Sequence, residues 1–215
     1  MAYDAIIFDL DDTLLRTYPA KWDQHKETAR RFYGIDLSDE TLRLHWGKPT
    51  NEMVRHFYKD LEAVETMVQR FKSLDEYYPK SIHDDALESI ERLYAMGLSI
   101  NVATNSSQDS AINDFKRLGV STSYFDSIFG IERNKVYKPN PQALQPLLAE
   151  LAAKGITDRI VYVGDSLIDY YASIGAGIDF IGITTGVVTE KDFKEAGAMR
   201  IISKLTELPP LLFGG

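Results

Sequence analysis

Hydrophobic positions along the chain follow two different periods. Ala5-Ile6-Ile7-Phe8 is a continuous apolar run that stops abruptly at acidic residues, the pattern of a short strand buried on both faces. Runs at 98–103, 127–130, 159–163 and 178–183 predict further strands. Between them the spacing becomes helical. Leu87, Ile90, Leu93 and Tyr94 form one stripe closed by Gly97, and Ile112, Phe115 and Leu118 form another closed by Gly119. Pro139 and Pro141 open a third, with Leu144, Leu147, Leu148 and Leu151. Strand and helix therefore alternate, which predicts βα units around a mostly parallel sheet.

One block breaks the alternation. From about 16 to 81 only helical spacing appears. Trp22, Ala29, Phe32 and Tyr33 mark a helix over 22–33 that Gly34 ends, and Ser38 starts another. Trp46-Gly47-Lys48-Pro49 is a turn, after which Met53, Val54, Phe57, Tyr58, Leu61, Val64, Val68 and Phe71 recur at helical spacing, with a break within 60–65. The simplest organisation is a core of 1–15 and 82–215, with 16–81 inserted as a helical domain.

Composition narrows the partners. The 215 residues carry a net charge of −8, and no basic block interleaves with aromatics, which argues against nucleic acid but leaves a small nucleotide open. There are no cysteines, so disulfides, thiolate catalysis and thiolate metal sites are excluded. The first strand pattern leaves no room for a signal peptide, and no apolar run approaches the ~18 residues of a membrane span. A cytoplasmic protein is expected.

Polar residues gather where predicted strands end. Asp9 and Asp11 follow the first strand, and in an extended chain they project to the same side while Leu10 points away. Two converging carboxylates repel unless a cation or shared proton offsets them, and an oxygen-rich pair suits Mg²⁺. An acidic turn explains an isolated Asp-x-Asp as well. Thr104 and Asn105 follow the second strand, as helix caps or as a phosphate cradle. Lys138 opens Lys-Pro-Asn-Pro, where two prolines restrict the backbone that follows it. Asp165 and Asp169 follow the fourth strand and would share a helix face. In open α/β sheets ligands bind beyond the carboxyl ends of the strands, so these residues would meet in one crevice.

Their order along the chain resembles the haloacid dehalogenase superfamily. Asp9-Leu10-Asp11-Asp12-Thr13-Leu14 is similar to its first motif, Thr104 to its second, Lys138 to its third and Gly164-Asp165-Ser166-Leu167-Ile168-Asp169 to its fourth. The resemblance covers 4 to about 208, and it implies a Rossmann-like core with the inserted helices as a cap. It also implies a phosphoglycolate-phosphatase-like phosphatase working through an aspartyl-phosphate. Asp9 would be the nucleophile and Asp11 the general acid and base. Asp9, Asp11 through its backbone carbonyl, Asp165 and Asp169 would hold Mg²⁺, and Thr104, Asn105 and Lys138 would bind phosphate. Two departures stand out: Asp12 occupies a position where many relatives have glycine, and Tyr78-Pro79-Lys80-Ser81-Ile82 stands where relatives often have Pro-Gly-Val.

Substrate choice falls to the cap. Arg16, Lys21, His25, Trp46, Lys48 and Arg55 are its candidates, with Lys48 preferred because its Gly-Lys-Pro turn is similar in place to the family's specificity loop. The alternatives are a β-phosphoglucomutase-like sugar phosphomutase, a 5′-nucleotidase and a non-catalytic phospho-acceptor regulator.

Overall fold

The computed structural model describes residues 3–133 and 136–213, which form two compact units. One runs to Arg16 and resumes at Ile82; the other is Thr17–Ser81. The contacts divide the chain after Arg16, against the expected division after 15, and the expected outermost residues 1–2 and 214–215 lie outside the described ones.

The first unit is built on a six-stranded, all-parallel sheet in the order β5-β4-β1-β6-β7-β8. Its strands are β1 (Ala5–Phe8), β4 (Ser99–Ala103), β5 (Ser127–Phe129), β6 (Ile160–Gly164), β7 (Asp179–Ile183) and β8 (Ile201–Ile202). A separate ribbon of β2 (Leu15–Arg16) and β3 (Ser81–Ile82) marks where the chain leaves and returns. Every residue of β1 is buried, because helices cover both faces. Ile6 and Phe8 pack on one face with Ile90 and Leu93 of α5 (Ala86–Ala95) and Phe115 of α6 (Gln108–Arg117). Ala5 and Ile7 pack on the other with Leu147 and Leu151 of α7 (Gln145–Ala153), Ala172 of α8 (Leu167–Ala176) and Phe193 of α9 (Glu190–Ala196). α10 (Leu208–Phe213) adds Leu212 to the first cluster.

This register decides where polar groups emerge. Phe8 pairs with Val102 on one side and Val163 on the other, so the ends of β1, β4 and β6 are level. The strand order reverses around β1, which opens a crevice at those ends.

The second unit has four helices: α1 (Ala20–Tyr33), α2 (Asp39–His45), α3 (Thr50–Tyr58) and α4 (Val64–Lys72). α1 differs from its expected stripe, since it buries Trp22, Gln24, His25, Thr28 and Ala29 and leaves Phe32 and Tyr33 only half-buried. Its polar members are satisfied inside. His25 Nδ1 lies 2.8 Å from the Tyr58 hydroxyl, Gln24 Nε2 donates to the Phe71 carbonyl at 2.7 Å, and Thr28 Oγ1 donates to the Gln24 carbonyl at 2.8 Å. A similar shift occurs in α5, where Ala86 and Ser89 join Ile90 and Leu93 while Tyr94 is 53% exposed.

Candidate active site

Asp9 is the first residue past β1, and its N–H still donates to the Val163 carbonyl at 2.9 Å. Its carboxylate is buried. Lys138 Nζ, with three N–H groups, has four acceptors in reach: Asp9 Oδ1 at 2.7 Å, Asp169 Oδ1 at 2.6 Å, the Tyr162 hydroxyl at 2.6 Å and the Ala103 carbonyl at 3.0 Å. A buried ammonium alone would cost several kcal/mol, about the penalty of any uncompensated interior ion. Burial by itself would lower the lysine's pKa, but Asp169 and Asp9 outweigh that and hold it well above the usual range. Lys138 is a cation at any working pH.

The carboxylates remain in excess. Oxygens of Asp9, Asp165 and Asp169, all buried, lie within 4.8 Å of one another. Burial pushes Asp9 up to about 8, Lys138 opposing and Asp169 and Asp11 adding to the rise. Burial also raises Asp165 well above the carboxylate range, aided by Asp12, Asp169 and Asp9. One ammonium cannot neutralise this group, and all the donors are hard oxygens, so the residues fit a divalent cation of the Mg²⁺ type. The surrounding backbone is shaped to them. A Cβ on Gly186 would sit 1.8 Å from Asp165 Oδ2, and one on Gly164 would sit 2.6 Å from the Asp169 Cβ. Only glycine lets these carboxylates approach so closely.

Asp165 and Asp169 do not share a helix face. α8 begins at Leu167, and Ser166 caps it in a reciprocal box with Asp169: the Asp169 N–H donates to Ser166 Oγ, and Asp169 Oδ2 accepts from the Ser166 N–H at 3.2 Å and its hydroxyl at 2.5 Å. Asp169 thus presents Oδ1 to Lys138 while its other oxygen anchors a helix start, and Asp165 stands in the preceding turn.

Thr104 and Asn105 are not caps either. Ser107 caps α6. Thr104 Oγ1 instead accepts from the Ser106 N–H at 3.0 Å. The Asn105 amide pairs with the backbone of Lys138, accepting from its N–H and donating to its carbonyl, each at 3.0 Å. Asp11 Oδ2 accepts from the Ser106 hydroxyl at 2.7 Å, so its carboxylate stands apart from the three that cluster. Asp12 takes the left-handed conformation, φ 61°, that glycine would otherwise supply, and its carbonyl accepts from Thr185 Oγ1 at 2.5 Å.

Two contributors escape motif reading. Tyr162 is the one hydroxyl-bearing residue in the aliphatic strand β6, three positions before Asp165. Ser106 is an unremarked member of Thr-Asn-Ser-Ser. A polar group inside a strand otherwise made for burial was the available signal in the first case; nothing distinguishes Ser106 from its neighbour.

The candidates of the inserted helices fare differently. Lys48 lies between α2 and α3, its Nζ 3.1 Å from His45 Nδ1, and the His45 ring stacks on His56 with centroids 3.8 Å apart. Lys21 pairs with Asp75 at 2.7 Å and Arg55 with Asp60 at 3.0 Å, while Arg16 pairs with Asp84 at 3.3 Å. His25 is buried, and Trp46 packs against Trp22. Among the described residues, no helix is long and apolar enough to cross a membrane.

The family model for haloacid dehalogenase-like hydrolases matches residues 6–183, and the chain belongs to that family. Similar proteins include a phosphoglycolate phosphatase of Yersinia pestis, 29% identical over 86% of this chain and 82% of its own. A phosphorylated carbohydrates phosphatase of Thermotoga maritima is 25% identical over 93% and 94%. Among solved structures, a haloacid dehalogenase-like protein from Bacteroides fragilis superposes with a TM-score of 0.82 at 25% identity, covering 96% of this chain and 99% of its own.

Proposed function

We propose that the protein is a Mg²⁺-dependent phosphatase that hydrolyses a small phosphorylated metabolite through an aspartyl-phosphate on Asp9. The observation that carries this reading is the buried meeting of Asp9 with Lys138 and two further carboxylates at the level ends of three strands. The phosphatase names of the similar proteins agree with it.

The Asp9 carboxylate attacks phosphorus, the bond to the leaving oxygen breaks, and Asp11 donates a proton to that oxygen. A water then attacks the same phosphorus and gives its proton to Asp11; the Asp9–phosphorus bond breaks and inorganic phosphate leaves. Lys138 lowers the repulsion between Asp9 and the incoming dianion and stabilises charge on the transferring oxygens, with the Thr104 hydroxyl and neighbouring N–H groups. Asp9, Asp165, the Asp11 carbonyl and Asp169 are the residues for the metal. When bound, Mg²⁺ supplies the remaining positive charge for the phosphoryl group. The helices of 17–81 act as the cap, and Lys48 is its residue for reading the substrate.

The test is inorganic phosphate release from phosphoglycolate, pyrophosphate, sugar phosphates and nucleoside monophosphates, with Mg²⁺ or EDTA. Turnover that requires Mg²⁺ on at least one substrate supports the reading, and the preferred substrate defines what the cap reads. A sugar phosphate converted to its isomer without phosphate release would make the protein a mutase instead.

A further inference from the structure

We propose that Tyr162 is a positioning residue for this chemistry, its hydroxyl fixing the Lys138 ammonium against Asp9; this rests on the phosphatase reading. The hydroxyl donates to the Ala103 carbonyl at 2.7 Å, so the oxygen lone pairs are left to face the Lys138 Nζ at 2.6 Å. Asp169 Oδ1, at 3.3 Å, is a second and longer acceptor for the same proton, and with either acceptor the oxygen still receives the ammonium's N–H. The ring is fully buried in β6, between Ile7 of β1 and Phe180 of β7 in register, so the support is rigid.

A neutral support has a particular use here. Three of the four oxygens around the ammonium could serve in the ground state, but the Asp9 contact must weaken once that carboxylate becomes bonded to phosphorus. Tyr162 and Ala103 do not change charge during the reaction. Together with Asp169, whose Oδ1 lies 2.6 Å from Nζ and takes no part in the bond to phosphorus, they keep the ammonium in place while its contact with Asp9 gives way to the phosphoryl oxygens. Tyr162 is thus expected to matter more in the transition state than for binding substrate.

The experiment compares Tyr162→Phe, which deletes only the hydroxyl, with Tyr162→Met, which also deletes the ring, in the full chain with Mg²⁺. The Phe variant leaves Ala103 bonded to Lys138, so its fold should survive, with thermal unfolding close to wild type. We expect its kcat to fall about 10- to 100-fold with KM within about twofold. Inhibition by tetrafluoroaluminate should weaken in parallel, and inhibition by inorganic phosphate should not. A Phe variant with wild-type kcat beside an impaired Met variant would make the ring's packing the whole contribution and overturn the proposal. So would a rise in KM alone, or a Phe variant that does not fold. Wild-type protein without turnover on any substrate would instead overturn the phosphatase reading, and this role with it.

Discussion

The Asn105 side chain and the Lys138 backbone are joined as two strands would be, one N–H to carbonyl bond in each direction, both at 3.0 Å. Asn105 lies just past Thr104 at the end of β4, and Lys138 belongs to the long connection from β5 to α7, so the amide ties a loop to the end of the sheet. Asn105→Ala should release that loop. We expect kcat/KM to fall roughly 10- to 100-fold, the scale of losing a supporting contact to a reacting group. Asn105→Asp, which can accept but not donate, should recover less than half of the loss on a logarithmic scale. Steady-state kinetics of both variants check this.

Removing the proposed nucleophile separates stability from activity. Asp9→Asn should lower turnover by about 10⁴-fold or more, because no other group can form the covalent intermediate. The same change removes one carboxylate from a crowded, buried group, and Lys138 keeps Asp169 as its partner. Without added metal the variant should therefore unfold at the same temperature as wild type or higher. Parallel activity and thermal-unfolding measurements in EDTA test both halves.

Gly186→Ala probes the carboxylates proposed for the metal without replacing any of them. The new methyl would overlap Asp165 Oδ2, which must swing away. The Mg²⁺ concentration for half-maximal turnover should rise about 10- to 100-fold. Turnover at saturating Mg²⁺ should fall less, and a Mg²⁺ titration of activity reads the difference.

His25 makes the inserted helices sensitive to acid. Burial, with a smaller contribution from Lys21, lowers its pKa to about 3, and its other neighbours are Tyr58, Phe57, Phe71 and Trp46. The folded state keeps the ring neutral, while the unfolded chain takes up a proton near the ordinary 6.5. Between about 3 and 6.5 the unfolded state binds more protons, so this contribution is complete above 6.5 and is lost as pH falls, by about 1.4 kcal/mol per unit. Denaturant unfolding at pH 7, 5.5 and 4.5 should show a shallower pH slope for His25→Phe than for wild type.

The parallel core was legible because a strand buried on both faces is mostly apolar; β1 follows that rule throughout, while β4 departs from it at Ser99 and Asn101 and β6 at Tyr162. β8 was missed because two residues, Ile201 and Ile202, set no period. The ribbon β2–β3 failed for the same reason. The inward face of α1 was misread because hydropathy counts Gln24, His25 and Thr28 as outward-facing, and only the folded partners that satisfy them reverse that assignment. At the site, acids at strand ends pointed to Asp9, Asp165 and Asp169, and the order of motifs along the chain added Lys138, which the structure joins to them. Which atom meets which depended on turns: the Ser166 capping box rotates Asp169, and the Thr104 turn frees Asn105 to bind a loop.

The strand order carries a consequence for how the molecule comes into being. β1 is synthesised first, yet its two neighbours are residues 99–103 and 160–164, with the whole helical insertion in between. Its apolar strand lacks both partners until β4 has been made, near the middle of the 215 residues, and one partner until β6 has, and such long-range parallel pairing is slow to close. Lys138, Tyr162, Asp165 and Asp169 all follow β4 in the chain. A nascent chain therefore carries Asp9 long before the residues that meet it, and on the phosphatase reading the site stays incomplete until β6 docks beside β1.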